Sequence, residues 1–140
     1  MKSLLVPVDG SPNADRAVSF AIRLAKAIQG MKVVVLNVQE QLERWYQHGL
    51  ASDASREHLK QQGQAQAAAA RRLLDESGCS YEFLIMFGKP AETIVQVAKD
   101  HGCSGIVLGT RGLGDLESVF LGSTSFKVVQ LAEVPVTLVK

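Results

Sequence analysis

Four consecutive apolar residues, Val33-Val34-Val35-Leu36, sit inside the segment from Lys32 to Val38 with no polar alternation between them. A strand with one face in water alternates apolar and polar side chains, whereas a strand covered on both faces is apolar throughout. The segment therefore reads as an interior strand of a parallel sheet with helices on both sides. Its flanks agree. Lys2 to Val8 is a short apolar run that ends in Asp9-Gly10-Ser11-Pro12, where Ser11 suits a helix N-cap and Pro12 the first helical position. Ala14, Ala17, Val18, Ala21, Leu24, Ala25 and Ile28 then recur at three- and four-residue steps, and Gly30 closes the helix.

The rest of the chain repeats the alternation. Residues 39–51, with Trp45 and Tyr46, form a long connection, and those two aromatics read as packing residues. Ser55 to Ser77 reads as a helix with Leu59, Gly63, Ala67, Ala70 and Leu74 on its inner face and Gly78 as its stop. Tyr81 to Phe87 is a third strand. Pro90 to His101 is a helix with Ala91, Ile94, Val95 and Ala98 facing inward, and Ser104 to Leu108 is a fourth strand. A glycine-rich loop from Gly109 to Leu121 leads to a helix from Ser123 to Ala132 and a last strand from Val134 to Val139. Alternating strands and helices require parallel pairing through crossovers. The expected fold is an α/β domain spanning residues 1–140, an open five-stranded parallel sheet of order 3-2-1-4-5 with helices on both faces. Such a sheet opens a crevice where the order reverses, at the carboxyl ends of strands one and four. Asp9 and Gly109 fall at those two ends.

Composition narrows the function. In 140 residues, 15 Lys and Arg face 14 Asp and Glu, a net charge of +1 that argues against a nucleic-acid partner. Neither a signal-peptide core nor a membrane span is expected, since the first apolar run is interrupted by Pro7 and ends at Asp9. A cytoplasmic location is expected. Cys79, Cys103 and the scattered His48, His58 and His101 fit no metal spacing. The expected strand order separates the two cysteines by about 14 Å, at about 4.8 Å per strand, too far for a disulfide.

Gly109, Gly112, Gly114 and Gly122 place four of the 12 glycines within 14 residues, just before a helix that begins Ser123-Thr124-Ser125. Glycines let a ligand approach the main chain, and the amides and positive dipole end of a helix N-terminus favour anions. The Ser123 and Ser125 hydroxyls can donate to the same anion. The loop lacks the Gly-Lys-Ser/Thr ending of a P-loop, and the first turn lacks the dinucleotide fingerprint G-x-G-x-x-G. A response-regulator reading fails too, because the third strand ends Met86-Phe87-Gly88 without an acceptor aspartate.

Gly109-Thr110-Arg111-Gly112, nine residues, then Gly122-Ser123 resembles the G-x2-G-x9-G-[ST] signature of the ATP-binding branch of the universal stress proteins. Leu5-Val6-Pro7-Val8-Asp9-Gly10-Ser11 is similar to that family's first strand and turn, Leu36-Asn37-Val38 to the end of its second strand, and Val134-Pro135-Val136 to its last. The resemblance implies an adenine nucleotide, ATP, ADP or AMP, with or without Mg2+. Asp9 would accept from a ribose hydroxyl, Pro7 and Val8 would border base and sugar, and Val38 would meet adenine through its main chain. Gly109, Thr110, Arg111, Gly112, Leu113, Gly114, Gly122, Ser123, Thr124 and Ser125 would surround the phosphates. Asp115 and Glu117 oppose a polyphosphate unless they turn outward or a cation intervenes, and Arg111, Lys89 and Lys127 could offset them.

Fast hydrolysis needs a positioned water, a base and charge stabilisation, and no residue is placed by motif for those roles. The resemblance implies a stress-response regulator, in which nucleotide occupancy would act as the switch, with little or slow turnover and an unidentified protein partner. The alternatives are a dimeric interaction module with a vestigial pocket, or a weak ATPase that phosphorylates itself on Ser123, Thr124 or Ser125. The last strand, Val134 to Lys140, is expected at a sheet edge, and the resemblance implies a homodimer across it.

Overall fold

The computed structural model describes residues 2–40, 53–110 and 122–140. Its elements run β1 (Ser3–Pro7), α1 (Pro12–Ala27), β2 (Lys32–Gln39), α2 (Asp53–Ser77), β3 (Tyr81–Phe87), α3 (Pro90–Asp100), β4 (Gly105–Gly109), α4 (Ser123–Leu131) and β5 (Val136–Val139). The strands form one parallel sheet of order β3-β2-β1-β4-β5, as expected from the alternation.

The apolar run of β2 divides its side chains between two cores. Val33 and Val35 join Leu4 and Val6 of β1 beneath α1 and α2, while Val34 and Leu36 join Leu5, Ile106 and Leu108 beneath α3 and α4. Neither face of the central strands meets water, which explains why β2 carries no alternation. The inner face of α2 is the expected one: Leu59, Gly63, Ala67, Ala70 and Leu74 are buried. On α3 the buried set is Ala91, Ile94, Val97 and Ala98, so Val97, at three residues from Ile94, replaces Val95 as the central contact. Val95 lies at the rim of that core, partly buried. On α1 the contact rotates likewise toward Ile22, and Ile28, one residue past the helix, is exposed.

The last strand starts at Val136 rather than Val134. Proline has no amide hydrogen, so Pro135 joins the sheet only through its carbonyl, which accepts from Ile106 N at 2.9 Å. Cys79 packs on the α1–α2 core and Cys103 lies in the core on the opposite face, so the two free cysteines are separated by the sheet itself.

The central strand loses both partners near its carboxyl end. Ser104 N donates to Ser3 O and Val8 N to Leu36 O, so successive main-chain groups of β1 face β4 and β2 in turn. By that alternation Pro7 faces β4, where it has no hydrogen to donate. Pairing of β1 with β4 covers only Leu4 with Gly105 and Leu5 with Ile106, and pairing with β2 ends at Pro7 with Leu36. A crevice therefore opens beside Pro7, Val8 and Asp9.

The sheet centre carries the stability of the fold. Leu5 is fully buried beneath α3 and α4. Leu5→Ala is expected to lower the unfolding free energy by about 2–5 kcal/mol, read from the urea midpoint at unchanged slope.

Candidate functional site

The turn after β1 is built by its own polar side chains. Asp9 Oδ1 accepts from Ser11 N at 2.9 Å, Gly10 takes φ +88°, and Ser11 Oγ caps α1 by accepting from Ala14 N at 3.2 Å. Asp9 is thus exposed at the mouth of the crevice with its orientation set by the turn. Gly109, at the end of β4, meets the first turn of α1. A Cβ there would collide with the backbone carbonyl of Asn13 and come within 3.0 Å of Ala14 N, so only glycine permits this approach.

These pieces enclose a cavity of about 220 Å³. Of the residues expected to bind, Pro7, Val8, Asp9, Val38, Gly109, Thr124 and Ser125 line it together. Gly122 and Ser123 stand just behind, as N-cap and first residue of α4. Gly122 offers no side chain to cap that helix, and the lining residues Thr124 and Ser125 place its first turn at the cavity. Thr110 points elsewhere: it is buried, and its amide and hydroxyl both donate to Val139 O of β5, at 2.8 and 3.2 Å. Arg111, Gly112, Leu113 and Gly114, with Asp115 and Glu117, lie outside the described residues, as do Trp45 and Tyr46. Lys127, a candidate to offset the loop carboxylates, is ion-paired with Glu92 of α3. That lysine holds the Glu92 carboxyl below its ordinary value.

Other lining residues were not expected to bind: Leu36, Ile94 and Leu108 supply an apolar floor, and Ser11, Ala14 and Pro90 its rim. Leu36 and Ser11 lie within the family-like segments of β1 and β2, whereas the signal of Ala14, Ile94 and Leu108 is apolar periodicity, which marks core positions and lining positions alike. Behind Val8 lies a polar cluster with no sequence signature. Asn37 is 1% exposed and donates through Nδ2 to Val8 O and to Gln66 Oε1, both at 2.9 Å. Gln39 Nε2 donates to Asn37 Oδ1 at 2.8 Å and to Gln66 Oε1 at 3.0 Å. Among the described residues no cluster of three or more metal-ligating side chains occurs, and no helix is long and apolar enough to cross a membrane.

An open parallel sheet with a ligand-sized crevice at its switch point defines the class, and comparison with known proteins supplies the family. The chain matches the Universal stress protein family over residues 1–140. It is 36% identical over 140 residues to the Thermus aquaticus universal stress protein of the QAH/OAS sulfhydrylase 3′ region, covering 99% of this chain and 98% of that protein. The structure of MJ0577 from Methanocaldococcus jannaschii superposes with a TM-score of 0.79 at 27% identity, covering 99% of this chain and 95% of the other. The Archaeoglobus fulgidus universal stress protein in complex with dAMP shares the fold at 22% identity and a TM-score of 0.77, covering 100% and 98% of the two chains. Further structures of the same fold hold cAMP and AMP. The chain belongs to the universal stress protein family.

One charge near the crevice is unfavourable. Asp15, in the first turn of α1, has its Oδ1 buried with no hydrogen-bond donor among the described residues. Burial, and secondarily the nearby Asp9 carboxylate, raise its pKa above the ordinary 3.8. A carboxyl with a raised folded-state pKa binds its proton more tightly in the native protein, so its contribution to stability falls as pH rises above about 3.8. Asp15→Asn is expected to raise Tm at pH 7, and the difference from the wild type should shrink toward zero below pH 3.8, by calorimetry across pH.

Proposed function

We propose that this protein binds an adenine nucleotide in the crevice between β1 and β4 and acts as a nucleotide-occupied regulator of a stress response, with little or slow hydrolysis. The observation that carries this reading is the convergence on one cavity of the Asp9 carboxylate, the end of β2 at Val38, Gly109, and the amide end of α4. A carboxylate suits ribose hydroxyls, an exposed strand end suits a base edge, and an uncapped helix N-terminus suits phosphate. Relatives of the same fold hold dAMP, cAMP and AMP.

Titration with AMP, ADP and ATP, each with and without Mg2+, tests the reading. A nucleotide at 100 times its Kd stabilises the fold by about 2.7 kcal/mol, a clear rise in Tm. Asp9→Asn keeps an acceptor for the Ser11 amide but removes the charge, and is expected to weaken binding about tenfold, the scale of one hydrogen bond to a charged group. An unchanged Tm with every nucleotide defeats the proposal, and sustained phosphate release at ordinary enzyme rates defeats its regulatory half.

The regulator acts in the cytoplasm as a homodimer across β5. That strand is an edge of the sheet, with Leu138 38% exposed, and the neighbouring α4 exposes Phe126 at 53% and Val129 at 43%. An edge with unpaired main-chain groups beside exposed apolar side chains favours pairing with a second copy. Light scattering at micromolar concentration is expected to show a dimer, and Leu138→Lys a shift toward monomer.

A further inference from the structure

We propose that Asn37, held by Gln39 and Gln66, is a positioning residue that makes the crevice selective for the base, by taking the Val8 carbonyl that the Val38 amide would otherwise occupy. The inference rests on the nucleotide-binding reading above.

Its ground is the direction of the main chain along β2. Lys32 N donates to Lys2 O beside β1, and Val33 N donates to Ser80 O beside β3. Amides alternate along a strand, so those of Val34, Leu36 and Val38 face β1. Val8 N already donates to Leu36 O at 2.8 Å. In an unbroken parallel ladder the Val38 amide would complete that bridge at Val8 O. The Val8 carbonyl instead takes the Asn37 side-chain amide at 2.9 Å. The Val38 amide and carbonyl, which face the same neighbour, are thereby turned to a cavity that Val38 lines.

Three features hold Asn37 to this task. Gln66 Oε1 accepts from both Asn37 Nδ2 and Gln39 Nε2, and Gln39 Nε2 also donates to Asn37 Oδ1, so the side chain cannot turn without losing several buried bonds. Gly63 makes the room: a Cβ there would stand 2.7 Å from Asn37 Oδ1. Gln66 also underlies the turn that presents Asp9, since a Cβ on Gly10 would lie 3.5 Å from its Cα, Cβ and Cγ. One residue of α2 thus supports both the base edge and the sugar carboxylate.

A donor and an acceptor from one residue match adenine, whose ring nitrogen accepts beside an amine that donates. Hypoxanthine presents the reverse, a ring N–H beside a carbonyl, so AMP and IMP report on whether the Val38 edge is open.

Amide exchange by NMR and paired AMP and IMP titrations test the proposal. In the nucleotide-free wild type the Val38 amide is expected to exchange faster than those of Val34 and Leu36, and to slow on saturation with AMP. Asn37→Leu, similar in volume but without a donor, is expected to protect the Val38 amide in the free protein and to lower the AMP-to-IMP affinity ratio about tenfold. Gln66→Met should move both readouts in the same direction by less, and with the wild-type exchange data it decides the matter if Asn37→Leu does not fold. A Val38 amide as protected as Leu36 in the free wild type overturns the inference. So does a folded Asn37→Leu that keeps the wild-type ratio, and in that case AMP binding by the wild type leaves the nucleotide reading standing. A wild type that binds neither nucleotide overturns both.

Discussion

A proline in the middle strand of a parallel sheet removes one hydrogen-bond donor where the ladder most needs it. Pro7 stands at that point, with its main chain turned to β4. β1 pairs with β4 no further than Leu5, and with β2 no further than Pro7 itself. The crevice is the gap this leaves. Proline in a central strand works against sheet stability, and here the loss is confined to the strand end, where the cores below are already closed by Leu5, Val6, Val34 and Leu36.

The Val8 carbonyl, left without a β2 amide, is re-bonded to Asn37. Beside the gap the β4–β5 ladder runs on, with the Thr110 amide and hydroxyl donating to Val139 O, and the exposed Asp9 carboxylate accepts from the amide of its own turn. Buried polar groups without partners are costly, and these bonds satisfy the buried ones of Val8 and Thr110. The polar side chains left at the cavity are few: the exposed Asp9, Ser11, and Thr124 and Ser125 in the first turn of α4.

Much of this was legible in the sequence, for identifiable reasons. The continuous apolar run of β2 announces two cores, and the alternation of periodicities sets the order of elements. Ser11-Pro12 marks the start of α1, and Gly30, Gly78 and Gly102 mark the ends of the first three helices to within three residues. Asp9 and Gly109 could be paired across the crevice because topology alone brings those strand ends together. The Asn37–Gln39–Gln66 cluster was illegible, since a buried amide on a strand and a glutamine 29 positions away in a polar helix have no spacing that links them. The place of Thr110 in the glycine motif points to a phosphate contact. Its side chain follows the strand instead, because the edge strand β5 offers a carbonyl within reach. Val97 was missed in favour of Val95 because both lie near the apolar stripe of α3, and only packing against the sheet chooses between them.

The contact of Gly109 with Asn13 and Ala14 is between two stretches of main chain, with no side chain interposed. The spacing between β4 and the start of α1 is therefore set by backbone thickness. Residues that line the opening can diverge in size and polarity among descendants of such a chain while the frame around them keeps its dimensions. The same scaffold can thus be retuned for a different occupant by exchanging side chains alone.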